Sequence, residues 1–387
     1  MRSEGRRVAV LGATGSIGTS TLEVIRCAED RMQAVALSAH RSIEHVCQLA
    51  QKYRPRWLVL TDPSACSYPG LQDLPSQIEI LSGAEGLNQI ATSDEVDVVV
   101  AAIVGSAGLE STWESLSAGK TVALANKETL VVAGKLMTDL AKERKAPILP
   151  VDSEHSAIFQ ALQAGKDREV RRIILTASGG PFLRHTRDQL RQVSVEEALD
   201  HPTWKMGPKI TVDSATLMNK ALEMIEARWL FDLRPEQIEV VIHPQSVIHS
   251  MVEYVDGSVV AQLSPPDMKL PIQYALDYPN RQAGNAAKMD WKAVWDLHFE
   301  PPDLGRFPAL ELGWEVAKQG GTTGAVVNAA NEAAVARFLN KEIAFHEIVP
   351  ACRRALKYHH FDPSPTLDVL RSVDRWARKE VTQWASS

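Results

Sequence analysis

Val8-Ala9-Val10-Leu11-Gly12-Ala13-Thr14-Gly15-Ser16-Ile17-Gly18 is the stretch whose reading decides the fold. Val8–Leu11 is a short apolar strand, three glycines follow at GxxGxxG spacing, and helical periodicity then runs from Ser16 to Ala28. The glycines permit a tight turn and let the backbone approach a pyrophosphate. A helix beginning near Ser16 aims free N–H groups and its positive dipole end at the same anion. Strand, turn and helix in this order read as the first unit of a dinucleotide-binding sheet. The competing reading is a glycine-rich turn that holds no ligand.

Outward from that unit, strand-like and helix-like segments alternate. Ala34–Ser38, Trp57–Leu60, Val96–Val104 and Thr121–Ala125 read as strands, with helices at Ile43–Lys52 and Leu130–Lys142. Such alternation predicts an α/β fold with a Rossmann-like parallel sheet over residues 1–149. A central α/β catalytic domain is expected over 150–276. It opens with the strand Pro147–Val151 and continues with a helix over Ser156–Ala164 and a strand at Ile173–Thr176. The best helical signal is Ala215–Phe231, with Asp213 and Ser214 as capping candidates. Ile238–Ile242, Ser250–Tyr254 and Ser258–Leu263 follow as strands, the last two joined by an Asp256-Gly257 turn. His201–Lys209 is aperiodic and reads as a flexible lid loop. Residues 277–308 shift to Pro, Asn and Trp and read as a linker, and 309–387 as a C-terminal helical domain.

The composition sets outer bounds. The chain has 387 residues, 45% of them hydrophobic and 23% charged, which is ample for two or three packed domains and excludes a largely disordered chain. A net charge of −6 argues against a nucleic-acid binder while leaving room for a local basic anion pocket. Cys27, Cys47, Cys66 and Cys352 form no CxxC pair and read as reduced thiols. No apolar run is long enough to span a bilayer, and Met1–Arg7 is polar and leads straight into the first strand. No membrane association is expected, and the expected location is the cytoplasm.

Several further segments carry chemistry. An acid after the second strand would bind the ribose hydroxyl of NAD, but His40-Arg41-Ser42 stands there, and guanidinium and hydroxyl groups suit the 2′-phosphate of NADP(H). The alternative is a solvated surface arginine. Asp152-Ser153-Glu154-His155 lies where a strand ends and a helix begins, so the two carboxylates either converge on a hard cation or cap the helix. In the predicted helix over 215–231, Asn219, Lys220 and Glu223 fall close to one face. Lys220 with Asn219 and Ser214 can hold a phosphate and Glu223 can add a third carboxylate; a solvated Lys–Glu pair is the alternative. Ser178-Gly179-Gly180-Pro181-Phe182 offers an anion-friendly turn or an ordinary break. His201, Trp204 and Met206 give the lid its polar and aromatic side chains. For His243 and His249, a satisfied core histidine is the default.

Taken in order, Gly12-to-Gly18, Ala125-Asn126-Lys127-Glu128-Thr129, Pro150-to-His155, Ser178-to-Phe182, His201-to-Gly207, Val212-to-Leu230, Ile242-to-Ser250 and Asn328-Ala329-Ala330-Asn331-Glu332 closely resemble the 1-deoxy-D-xylulose 5-phosphate reductoisomerase family. The resemblance implies rearrangement of that phosphorylated sugar and reduction to 2-C-methyl-D-erythritol 4-phosphate, on the non-mevalonate isoprenoid route. It implies NADPH, a divalent metal (Mg²⁺ or Mn²⁺, with Co²⁺ a further candidate) and a homodimer. Carried over by motif, Asp152, Glu154 and Glu223 are the implied metal ligands. Lys127, Ser153, Ser178, His201, Trp204, Met206, Ser214, Asn219, Lys220 and His249 are implied at the substrate, along with Glu154 and Glu223. Lys127, His201 and the three carboxylates are the implied catalytic set. Gly12, Thr14, Gly15, Ser16, Ile17, Asn126, Glu128 and Gly207 are implied at the cofactor, with His40, Arg41 and Ser42 at its 2′-phosphate. Two departures stand out: His40-Arg41-Ser42 replaces a glycine-containing turn, and Lys205 stands in the lid in place of a small polar residue.

Two other functions fit parts of the pattern: another NADP-dependent dehydrogenase, such as a semialdehyde or homoserine enzyme, and a non-catalytic NADP(H)-sensing module. Semialdehyde chemistry needs a nucleophilic cysteine, and none of the four lies beside these motifs. A sensing module has no use for Asp152, Glu154 and Glu223.

Overall fold

Seven strands carry the N-terminal part: β1 (Arg6–Leu11), β2 (Met32–Ala39), β3 (Trp57–Leu60), β4 (Glu79–Ser82), β5 (Val98–Ala101), β6 (Thr121–Leu124) and β7 (Ile148–Pro150). In this computed structural model, which describes residues 5–28 and 31–384, the chain forms two compact units. The first comprises residues up to Thr129, Leu136–Ser156 and Asp267–Ala287. Its strands form one all-parallel sheet in the order β4-β3-β2-β1-β5-β6-β7. Val8, Ala9, Val10 and Leu11 are all fully buried in the middle of that sheet. Burial on both faces is why the central strands read as continuous apolar runs without alternation. The strand order reverses between β1 and β5, and a crevice at such a switch point is where open α/β sheets bind ligands.

The expected Val96–Val104 strand is shorter than its apolar run, because Ala102–Val104 leaves the sheet as a loop. The helix after β6 starts at Glu128, not Leu130, and the one after β7 at Ser153, not Ser156. Both corrections place polar motif residues in a first helical turn, where free N–H groups favour them over apolar ones. The helix Lys269–Asp277 packs on Ser16–Cys27, with Lys269 paired to Glu23 at 3.2 Å and Arg31 paired to Asp277.

The second unit comprises Leu130–Lys135, Ala157–Pro266 and Lys288–Ser387. Its sheet is β11-β10-β8-β9, from β8 (Val170–Ala177), β9 (Ile238–Ile242), β10 (Ile248–Tyr254) and β11 (Val259–Leu263). β8 and β9 are parallel and the other pairs antiparallel. The Asp256-Gly257 turn joins β10 to β11 as expected, with Gly257 at φ +88°. The helix Met218–Leu230 packs against β8 and β9 and against Ala309–Gln319.

The C-terminal part is helical, as expected, and its helices belong to this same unit. Thr323–Leu339 is buried on nearly every side, between Ile348–Tyr358 and Leu367–Gln383. The helix expected over Ala215–Phe231 runs Met218–Leu230, and a separate, unexpected helix, Pro208–Ala215, precedes it. Leu217 between them adopts a left-handed conformation, φ +59°, which ends the first helix. Asp213 and Ser214 therefore lie inside the first helix and cap nothing. Pro208 and Lys209, expected in the lid loop, form that helix's first turn, where proline's missing N–H costs no hydrogen bond.

Candidate functional site

In the first unit the glycine turn leaves β1 at Gly12, whose φ of +85° suits glycine. A methyl group on Gly12 would sit 2.6 Å from the Ala102 carbonyl oxygen, and one on Gly18 would sit 2.3 Å from that of Gly12. At Gly12 and Gly18 the turn is therefore packed against the segment after β5 and against itself with no room for a side chain, whereas Gly15 has ordinary contact room. Gly12 N–H donates to Ser38 Oγ at 2.9 Å, and Ala13 N–H to the Ser38 carbonyl at 2.8 Å. Sequence reasoning missed Ser38; its only signal is a hydroxyl in an otherwise apolar buried strand. Gly15 and Ser16 are exposed at the helix N-terminus, with Thr14 and Ile17 half-buried beside them. No side chain caps that terminus, which leaves its N–H groups to face an anion.

His40, Arg41 and Ser42 follow β2, the neighbour of β1, and all three are exposed. His40 Nδ1 lies 3.0 Å from the Thr61 hydroxyl. Asp62 nearby has its carboxyl held below the usual range, first by the Ser64 hydroxyl and backbone and then by His40 and Arg41.

At the ends of β6 and β7, Asn126 donates both amide hydrogens, to the carbonyls of Ile103 and Gly105. It accepts from Thr129 N–H at 2.9 Å and from its hydroxyl at 2.6 Å. Its side chain thus ties the turn after β6 to the 103–105 loop after β5, and its amide donors are spent there. Next to it Lys127 is buried, its Nζ 3.0 Å from Asp152 Oδ2, and Glu128 is buried as well. Asp152 Oδ1 accepts from Glu154 N–H at 3.2 Å, and Ser153 Oγ donates to Glu154 Oε2 at 2.5 Å. His155, fully buried, places Nδ1 3.6 Å from Asp152 Oδ1. The structure thus gathers Lys127, Asp152, Ser153 and Glu154 at neighbouring strand ends of one sheet.

In the second unit His201 gathers three expected substrate residues. Its Nε2 lies 3.1 Å from the hydroxyls of both Ser178 and Ser214. Its Nδ1 accepts from the N–H groups of Thr203 and Trp204, at 3.1 and 3.0 Å. Two donors aimed at Nδ1 fix the neutral tautomer with its proton on Nε2. Burial acts in the same direction, holding the imidazole pKa below its ordinary value. The Ser178 hydroxyl also accepts from Gly180 N–H at 3.2 Å. Gly180 packs so closely on the helix Pro208–Ala215 that a methyl on it would sit 2.7 Å from the Ser214 carbonyl oxygen.

Glu223 is fully buried, accepting from the Asn219 amide at 2.5 Å and from the buried Lys220 ammonium. The three share the helix Met218–Leu230, as the spacing predicts. Trp204 faces His249, ring centroids 6.3 Å apart, and His249 Nε2 donates to the Ser264 carbonyl at 3.2 Å. Met206 is half-buried, while Lys205 and Gly207 are exposed. Of the expected cofactor contacts, Gly207 alone belongs to this unit, and of the expected metal ligands, Glu223 alone does.

Comparison with known proteins adds three family matches. Residues 8–134 match the family described as 1-deoxy-D-xylulose 5-phosphate reductoisomerase. Residues 148–231 and 263–380 match two descriptions of that enzyme's C-terminal domain. Proteins named 1-deoxy-D-xylulose 5-phosphate reductoisomerase are similar over nearly the whole length. The one from Geobacter metallireducens is 51% identical over 376 residues, covering 97% of this chain and 98% of that protein. The one from Rhodopirellula baltica is 48% identical over 431 aligned positions, covering 98% and 95%. Among solved structures, a DOX-P reductoisomerase in complex with NADPH, fosmidomycin and magnesium superposes with a TM-score of 0.91 at 42% identity, covering 97% of each chain. The Zymomonas mobilis enzyme in complex with NADPH gives 0.91 at 45% identity, covering 97% and 98%.

Proposed function

The chain belongs to the 1-deoxy-D-xylulose 5-phosphate reductoisomerase family, and from that premise we propose how its own residues carry the family's reaction. It is an oxidoreductase that uses NADPH and a divalent metal to convert 1-deoxy-D-xylulose 5-phosphate to 2-C-methyl-D-erythritol 4-phosphate. The observation that carries the residue assignment is a buried lysine paired with an expected metal ligand in each unit, Lys127 with Asp152 and Lys220 with Glu223. Each ammonium compensates the charge of the carboxylate it touches, and the three carboxylates offer oxygen donors only. Asp152, Glu154 and Glu223 supply that set, which suits a hard cation such as Mg²⁺ or Mn²⁺. When bound, the cation polarises the adjacent oxygens of the α-hydroxyketone, and NADPH supplies the hydride.

The protein's own groups do the rest. Ser178, Ser214 and the Nε2–H of His201 present three donors to the substrate phosphate, with Asn219 and Lys220 completing the cradle. Burial favours the neutral form of His201, whose Nε2–H donates there. Anchoring the phosphate supplies remote binding energy that orients the carbon skeleton for rearrangement. Lys127 and Ser153 hold the oxygens of that skeleton. Trp204, Met206 and His249 cover it, and the lid excludes water when closed. Gly12 and Thr14–Ile17 hold the NADPH pyrophosphate, Arg41 with His40 and Ser42 its 2′-phosphate, and Asn126, Glu128 and Gly207 complete the cofactor contacts.

The division of labour expected from the sequence belongs to this proposal: 1–149 for the cofactor, 150–276 for metal, substrate and lid, 277–308 as linker and 309–387 as helical support. So do a homodimeric assembly, use of Mn²⁺ beside Mg²⁺, and a cytoplasmic location. Among the described residues no helix is long and apolar enough to cross a membrane. The test follows NADPH absorbance with purified protein, 1-deoxy-D-xylulose 5-phosphate and Mg²⁺, with and without EDTA. Metal-dependent oxidation is expected, and full turnover in EDTA refutes the carboxylate assignment.

A further inference from the structure

The helix Pro208–Ala215 is two turns long, yet it fixes where Ser214 stands relative to His201. One buried polar group pins it. Asp213 is 1% exposed and belongs to a helix that places Val212 in the same apolar core as Ala330, Ala334, Ile348 and Cys352. Its Oδ1 accepts from Asn331 Nδ2 at 2.7 Å, and its Oδ2 pairs with Lys209 Nζ, one turn back, at 2.8 Å. Asn331 is fully buried in the helix Thr323–Leu339. That helix is tied in turn to Leu367–Gln383, because Glu332 pairs with Arg378 at 2.6 Å.

A buried ion pair of this kind adds little net stability over an apolar replacement, and its best-attested use is to fix register. Register matters here. Slipping a helix by one residue rotates its side chains by about 100°, which would swing the Ser214 hydroxyl off His201 and its carbonyl off Gly180. Asp213 adjoins Ser214 in the chain, and Asn331 holds it from a different helix. We propose that Asn331 and Asp213 are positioning residues for the Ser178–His201–Ser214 cradle, so that the C-terminal helices set the affinity for the substrate phosphate. This rests on the assignment of that cradle given above.

The test uses the full chain. Asn331→Asp sets a second carboxylate against Asp213, and pairing it with Asp213→Asn restores one charge and one hydrogen bond with polarity reversed. The expected result is a KM for 1-deoxy-D-xylulose 5-phosphate raised about tenfold in Asn331→Asp, with kcat changed less than about threefold. NADPH affinity should be unchanged, and the double variant should recover most of the KM. Where Asn331→Asp does not fold, Asn331→Ser, too short to reach Asp213, should give the same rise in KM. A folded variant with unchanged KM, or a double variant no better than Asn331→Asp alone, overturns the proposal. Ser214→Ala separates the two levels. If it leaves KM unchanged, the cradle assignment fails; if it raises KM while the Asn331 variants do not, only the positioning role fails.

Discussion

Replacing Glu223 by glutamine keeps the side chain's size and removes its charge. Glu223 is fully buried, with Asn219 Nδ2 donating to one oxygen and the Lys220 ammonium to the other. The new amide nitrogen must face one of these donors, so a donor meets a donor where an acceptor stood. Breaking a buried pair from one side costs about 3–5 kcal/mol, and the oxygen that glutamine retains argues for the lower end, about 3 kcal/mol. Domains have roughly 5–15 kcal/mol to lose, so the fold should survive with a lower Tm. At about 2–4 °C per kcal/mol for a domain of this size, the drop is roughly 6–12 °C. Turnover should suffer more. Losing a metal ligand removes several kcal/mol of transition-state stabilisation, and about 4 kcal/mol is roughly a thousandfold in kcat. The glycine turn at Gly12–Gly18 shares no element with the helix Met218–Leu230, so NADPH affinity should stay within about twofold. The assay pairs NADPH fluorescence titration with steady-state kinetics over a Mg²⁺ series. A variant with kcat within tenfold of the parent and the same Mg²⁺ dependence refutes the placement of Glu223 at the metal. So does a loss of NADPH binding parallel to the loss of turnover.

Three shorter predictions test the other groups. Gly12→Ala forces a methyl against the Ala102 carbonyl at a positive φ, and should weaken NADPH binding at least about tenfold; unchanged titration curves would show that the turn does not hold the cofactor. Arg41→Ala should cut the preference for NADPH over NADH by about ten- to a hundredfold in kcat/KM, and an unaltered ratio would leave the 2′-phosphate to His40 and Ser42. Burial holds the His201 pKa below its ordinary value, so below about pH 6.5 the unfolded chain binds a proton that the folded chain does not. Folding stability should therefore fall as pH drops through that range, and urea melts should show a shallower fall for His201→Gln; equal pH slopes would contradict the buried neutral ring.

The parts legible in the sequence were those governed by local chemistry. Continuous apolar runs at Val8–Leu11 and Val98–Ala101 report burial on both faces of a sheet, and GxxGxxG reports a turn that only glycine can pack at Gly12 and Gly18. Spacing alone put Asn219, Lys220 and Glu223 on one helix face, because three- and four-residue steps define neighbours there. The helix break at Leu217 carried no such signal. Leucine ordinarily extends a helix, and its left-handed conformation is held by packing around it, as is the resulting place of Ser214 beside His201. Tertiary structure alone decided which polar groups pair across the chain: Gly12 with Ser38, Lys127 with Asp152, Asn126 with the 103–105 loop, and Asp213 with Asn331, 118 residues away. Periodicity records how each segment meets its surroundings, whereas a hydrogen bond between distant segments depends on which surfaces come to face each other once the core has closed.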